Sequence, residues 1–145
     1  MEVWRLIDLG TAEPLVAQTF YEAVAKAVDK GLSPNTVILV QPSSPYVCVG
    51  FHQEVEREVN VEHCRDRGLP VIRRSQGGGT VYLDSGQIFY QVIAAGTSDI
   101  IPLSVEKLFE RLLGVTVYVY RRLGLPAEFK ACLLYTSPSP RDRQK

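Results

Sequence analysis

The chain has 145 residues, 46% hydrophobic and 22% charged, a composition of about one globular domain and not of a disordered or collagen-like chain. Sixteen basic residues balance sixteen acidic ones, so no net field gathers nucleic acid nonspecifically. No run reaches the ~18 consecutive apolar residues of a membrane span.

Met1-Glu2-Val3-Trp4-Arg5 lacks the charged-then-apolar layout of a signal peptide. The three cysteines, Cys48, Cys64 and Cys132, form no Cys-x-x-Cys and are too scattered for a disulfide scaffold. A soluble cytoplasmic domain is the expectation, with neither membrane nor nucleic acid as partner.

Val3 to Asp8 reads as a strand ended by Gly10. Leu15, Val16, Phe20, Ala23, Val24, Ala27 and Val28 then recur at the spacing of one helical face. Thr11 is the expected N-cap, Pro14 suits the first turn, and Gly31 stops the helix. The β-branched run Thr36–Val40 and the run Tyr46–Gly50 flank Pro42 and Pro45, which predicts two adjacent strands. Asn60 to Arg67 reads as a short polar helix closed by Gly68, and Leu69–Arg73 leads into a loop of three glycines.

Thr80–Tyr82 and Gly86–Ala94 predict two further strands turned at Asp84-Ser85-Gly86. Pro102-Leu103-Ser104 opens a second long helix carrying Leu108, Phe109, Leu112, Leu113 and Leu123. Its middle, Val115–Tyr120, has strand propensity, but length and periodicity argue for helix. The sum is an α+β layout, an antiparallel-rich sheet with flanking helices.

Residues 132–145 break the pattern. Cys132-Leu133-Leu134-Tyr135-Thr136-Ser137-Pro138-Ser139-Pro140-Arg141-Asp142 has no period and no cap, and it resembles a translated sequencing-library adapter. A native Ser/Pro-rich tail is the alternative. On the adapter reading, residues 1–131 are the natural part of a partial domain. Without Arg141, Asp142, Arg143 and Lys145, thirteen basic and fifteen acidic residues remain, a net charge of −2.

The concentrated chemical signal is Val71-Ile72-Arg73-Arg74-Ser75-Gln76-Gly77-Gly78-Gly79-Thr80-Val81-Tyr82. Glycines let backbone amides approach a ligand closely and adopt positive φ, and successive N–H groups can form an anion-binding nest. Two arginines add forked donors suited to carboxylate or phosphate. A strand-to-strand loop whose arginines meet only solvent has the same composition, so the residues leave both readings open. The run lacks the Lys-Ser/Thr of a P-loop and does not open a helix as a Rossmann turn does. His52, His63 and Cys64 show no metal-ligand spacing, so no metal site is expected. Cys48 reads as a small core residue, Cys64 as solvated helix surface, and Glu54, Glu56 and Glu58 as a solvated face.

Arg-Arg-x-x-Gly-Gly-Gly-Thr-Val-Tyr followed by Asp84 and Gly86 resembles the signature of lipoate–protein ligases in the biotin/lipoate ligase superfamily. Trp4–Asp8, Tyr46–Gly50 and Val55–Val71 extend the resemblance along most of the chain. It implies a class II synthetase-like fold and a two-step reaction. Lipoate or octanoate reacts with ATP, with Mg2+, to give an acyl-adenylate. The acyl group then passes to a lysine of a lipoyl carrier domain, on a 2-oxoacid dehydrogenase or a glycine cleavage protein.

Carried over, the resemblance gives Arg73, Gly78, Gly79, Thr80 and Val81 to the adenylate, with Gly77 shaping the turn. Arg74, Asp84 and Gln87 are secondary candidates. The acyl chain needs an apolar slot, in which roughly six methylenes contribute on the order of 5 kcal/mol before ordering costs; Val47, Val49 and Ile72 are candidates for its lining.

Three positions depart from the family pattern: Gln76 stands for a serine, Leu83 for a histidine and Gln87 for an asparagine. The family's catalytic lysine lies in a Gly-Arg-Lys segment downstream of Leu125–Lys130, so this chain alone is not expected to catalyse transfer. An octanoyltransferase of the same superfamily, fed by a carrier thioester, and a noncatalytic ligand-binding member are the alternatives. Biotin ranks lower, because the paired arginines are lipoate-like.

Overall fold

The computed structural model describes residues 2–102 and 104–129. Residues 132–145 lie outside the described residues, and so does Lys130. Contacts divide the chain into two units, Met1–Ala95 and Gly96–Lys145.

In the first unit the chain runs β1 (Trp4–Ala12), α1 (Pro14–Asp29), β2 (Asn35–Pro42), β3 (Tyr46–Val49), α2 (Val55–Glu58), α3 (Val61–Asp66), β4 (Val71–Arg73), β5 (Val81–Leu83) and β6 (Phe89–Ile93). The strands form two three-stranded sheets, ordered β1-β2-β6 and β4-β3-β5. Each central strand has one parallel and one antiparallel neighbour: β2 pairs parallel with β1 and antiparallel with β6, while β3 pairs parallel with β4 and antiparallel with β5. The α+β layout is as the sequence implies, with sheets of mixed direction.

α1 forms where the apolar spacing places it. Pro14 occupies the first turn, where its missing N–H is no loss. Gly31, at φ +68°, ends it, with Leu32 N–H donating to the Ala27 carbonyl. Thr11 is not the cap: it belongs to β1, and the capping position is Glu13, whose side chain makes no capping bond. Val24 and Val28 pack with Ile38 of β2 into one core, flanked by Ile7, Leu9, Phe20, Tyr21, Ile93 and Ala95. Each fully buried aliphatic side chain there contributes about 1.5–3 kcal/mol.

A second core joins Tyr46, Cys48 and Ile72, with Leu83 and Phe89 packed on it. The expected pairing of Thr36–Val40 with Tyr46–Gly50 does not occur, because β2 and β3 lie in different sheets. The Pro42–Pro45 connection carries the chain from one sheet to the other. The Asp84–Gly86 turn does the same between β5 and β6. α3 is capped by Asn60, whose Oδ1 accepts from the His63 N–H at 2.9 Å. Its inner face buries Cys64, which corrects the surface reading of that thiol.

The second unit contains α4 (Val105–Arg122). Helical periodicity prevails over the local strand propensity of Val115–Tyr120. Gly124, at φ +82°, closes the helix, with Leu125 N–H donating to the Tyr120 carbonyl. Among the described residues no helix is long and apolar enough to cross a membrane.

Candidate functional site

The glycine loop is built from Arg74 outward. The Arg74 Nη2 donates to the carbonyls of Gly77 at 2.9 Å and Gly79 at 2.8 Å, and its Nε reaches Gly77 again at 3.1 Å. With these carbonyls held, the loop turns sharply at Gly78, whose φ of +99° a side chain rarely adopts. The amide N–H groups of Gly77, Gly78 and Gly79 donate to nothing among the described residues, and all three glycines are exposed. Free backbone amides beside a guanidinium are donors of the kind that bind anions. The positive φ expected of the triple glycine falls on Gly78 alone.

The loop is anchored on both sides. Phe51 N–H donates to the Gln76 carbonyl and Arg74 N–H to the Val49 carbonyl. Tyr21 of α1 bonds through its hydroxyl to Gln76 Oε1 and lies 3.3 Å from Ser75 Oγ. Gly50 lets the exit of β3 run against the loop, since a Cβ there would collide with the Gly78 carbonyl oxygen. Gln53 Oε1 accepts from the Gly50 N–H at 2.8 Å and from Thr80 Oγ1 at 3.0 Å, tying the two segments together.

Arg73 and Arg74 have different settings. One nitrogen of Arg73, Nη1, donates to the carbonyls of Gly50, Phe51 and Gln53 at 2.8–2.9 Å, while its residue as a whole is exposed. Arg74 is half-buried, and its Nη1 points to Cys48 Sγ at 3.5 Å.

Arg74 forms part of the wall of a cavity of about 290 Å³ lined also by Gln18, Cys48, Val81, Leu83, Phe89 and Gln91. This is near the lower end of the ~300–1,000 Å³ usual for small-molecule sites. Register explains the apolar wall: Cys48 faces Val81 across β3 and β5, and Leu83 lies two residues on, on the same face. Phe89 and Gln91 share a face of β6 in the same way. Val47, Val49 and Ile72, expected to line an acyl slot, do not line it. Ile72 belongs to the second core, and the cavity takes their neighbour Cys48 instead.

One buried amide oxygen in this wall, that of Gln91, is unsatisfied among the described residues. Gln91 donates through Nε2 to the Ala17 carbonyl at 3.3 Å, but its buried Oε1 accepts from nothing among the described residues. Gln18, 9% exposed, accepts through Oε1 from the Tyr46 hydroxyl at 2.9 Å, while its Nε2 has no partner among them. Burial, and secondarily the neighbouring Cys48, push the Tyr46 hydroxyl up to about 12.

Asp84 and Gln87 close the β5–β6 turn. Asp84 Oδ1 accepts from the Gly86 N–H at 2.8 Å, and Gln87 Oε1 accepts from the Asp84 N–H at 3.2 Å. Neither lines the cavity. Leu83, at the family's histidine position, does. A separate surface hollow of about 500 Å³ over Glu56–Val61 contains none of these residues. Gln18, Gly50, Phe89 and Gln91 were not candidates from sequence; the only signal for Phe89 and Gln91 was strand alternation.

The family model for the lipoyl protein ligase A/B catalytic domain matches residues 13–140. The octanoyltransferase LipM of Moorella thermoacetica is 30% identical over 127 residues, covering 88% of this chain and 46% of that protein. The crystal structure of lipoate-protein ligase A bound with ATP superposes with TM-score 0.73 at 26% identity, covering 90% of this chain and 51% of the other. A bipartite lipoate protein ligase from Thermoplasma acidophilum, studied with its E2 lipoyl domain, gives TM-score 0.74 at 27% identity over 90% and 49%. The chain thus spans about half the length of the curated relatives it matches. Its glycine loop, mixed sheets and sequence agree in one assignment: the chain belongs to the lipoyl protein ligase A/B catalytic-domain family.

Proposed function

We propose that the chain holds a lipoyl- or octanoyl-type acyl group while it is transferred to a lysine of a lipoyl carrier domain. The observation that carries this reading is the position of Arg74. Its guanidinium binds both ends of the glycine loop and also walls an apolar cavity. The head of an activated acid carries negative charge, and the chain behind it needs burial. Preorganised amides and a guanidinium favour the charge that develops at the head without reorganising.

In this reading Val81, Leu83 and Phe89 hold the acyl chain. The amides of Gly77, Gly78 and Gly79, with Arg74 and Thr80, face the anionic head, and Arg73 acts from the Gly50–Gln53 side. Asp84 and Gln87 shape the turn that carries Leu83.

The octanoyltransferase relative favours a thioester as acyl donor. Likeness to the ATP-bound ligase supports the adenylate route as a second reading. ATP is a substrate only on that second route. Among the described residues no group of three or more His, Cys, Asp or Glu side chains could hold a metal ion; on the adenylate route Mg2+ would be held chiefly by the phosphates of ATP. The lipoyl-domain partner is supported by the ligase studied with its E2 domain; a 2-oxoacid dehydrogenase or a glycine cleavage protein would supply it, in the cytoplasm.

Calorimetry with the full chain tests this. Octanoate, an octanoyl thioester and a nonhydrolysable octanoyl-adenylate are compared, each with Arg74→Ala. Arg74-dependent binding supports the acyl site. Preference for the adenylate favours the ligase, and preference for the thioester favours the transferase. Binding of none overturns the proposal.

A further inference from the structure

The entry of the glycine loop is tethered to a helix more than fifty residues before it in sequence. Tyr21 of α1 packs its ring on the core of Val24, Val28 and Ile38. From that seat its hydroxyl bonds to Gln76 Oε1 and lies 3.3 Å from Ser75 Oγ. A contact of 3.4 Å to Glu22 Oε1 stays within α1. Ser75 and Gln76 are themselves exposed. Arg74 grips the loop only further on, at Gly77 and Gly79. A run of three glycines is otherwise free to sample many conformations, so amides that must meet an anion at fixed positions benefit from a restraint at the loop's entry. Ordering completed before a ligand arrives does not weaken its binding. Gln76 stands where the family has a serine, whose hydroxyl sits two bonds nearer the backbone, and the longer amide spans to Tyr21.

We infer that Tyr21 is a positioning residue of the acyl site: through Gln76 and Ser75 it holds the loop entry against α1, so that the amides of Gly77, Gly78 and Gly79 stand ready for the anionic head. Tyr21 does not line the cavity and acts only through the loop. One turn earlier on the same helix, Gln18 lines the cavity and accepts from the Tyr46 hydroxyl. α1 therefore carries both a part of the tail slot and the tether of the head loop, and its seat on the first core sets the spacing between them. The inference rests on the acyl-site reading above and adds to it a residue from outside the glycine motif.

Tyr21→Phe in the full chain tests this, since it removes the hydroxyl and keeps the ring in the core. NMR supplies two readouts: the affinity for a nonhydrolysable octanoyl-adenylate, and the backbone 15N order parameters of the free chain. The expected result is an affinity lower by about three- to tenfold. Order parameters should fall at Gly77, Gly78 and Gly79 and stay unchanged in α1, β3 and β5. Gln76→Ala should weaken binding in the same way, and the double variant should lose no more than Tyr21→Phe alone. Order parameters that fall throughout α1, β3 and β5 would show a merely structural role and overturn the inference. Unchanged affinity in Tyr21→Phe, or losses that add in the double variant, overturns it while leaving the acyl site standing. Failure of the unaltered chain to bind the adenylate overturns the acyl site and this inference with it.

Discussion

Arg74 Nη2 donates to the Gly79 carbonyl oxygen at 2.8 Å across the turn that Gly78 makes. The side chain that follows β4 thus closes the loop leading into β5. Its Nη1 continues to Cys48 Sγ, so one residue couples loop shape to cavity wall. Arg74→Lys keeps the charge but not the fork. It should weaken binding of an acyl-adenylate analogue by about tenfold, and Arg74→Ala by more. Calorimetry on the two variants checks this. Unchanged affinity in both would show that the loop is held without Arg74.

Gly50 and Gly78 meet backbone to backbone. Gly50→Ala puts a methyl group into the Gly78 carbonyl oxygen, and both segments are tied down by Gln53 and Arg73. A destabilisation of about 1–3 kcal/mol is expected from overpacking, read as a lower midpoint in urea denaturation. Gly77→Ala, whose Cβ would meet nothing within 4 Å, should change the midpoint far less.

Tyr46 gives the fold an alkaline limit. Its hydroxyl is pushed up to about 12 by burial and by Cys48, above the ~10 of an unfolded tyrosine. The unfolded chain therefore loses this proton first as pH rises. The neutral phenol's stabilisation is complete below about pH 10 and is lost progressively towards pH 12. Denaturation midpoints of the natural chain should fall more steeply over that window than those of Tyr46→Phe. Parallel curves would contradict it.

Leu83 keeps the inner wall apolar beside Val81 and Phe89. Leu83→His should reduce octanoate affinity by about tenfold, because imidazole nitrogens would enter an apolar wall. The loss should be larger below pH 6, where an exposed imidazole is charged. An affinity that rises on this substitution would remove Leu83 from the acyl-binding surface.

Much of the fold was legible because it is local. Apolar spacing, Pro14 and Gly31 determine α1, and Asn60 and Gly68 bracket α3. The glycine run and its paired arginines located the loop between β4 and β5, while their composition left a ligand loop and a plain solvent loop both open. Strand partnership was misread where proximity in sequence stood in for pairing: β2 and β3 are separated by three residues yet lie in different sheets. Cys64 falls on a helix rich in charge, and only tertiary packing buries it. Gln18 reaches the cavity from α1, far from the motif, and Gly50 is required by a contact with a loop 28 residues on. No local pattern encodes either.

The most direct measurement of the central claim is an amide and methyl NMR titration of the full chain with a nonhydrolysable octanoyl-adenylate. The amides of Gly77, Gly78 and Gly79 and the methyl groups of Val81 and Leu83 should shift together, with one affinity, and Arg74→Ala should abolish the response. Shifts confined to other surfaces, or loop amides that stay still while the ligand binds, would contradict the account.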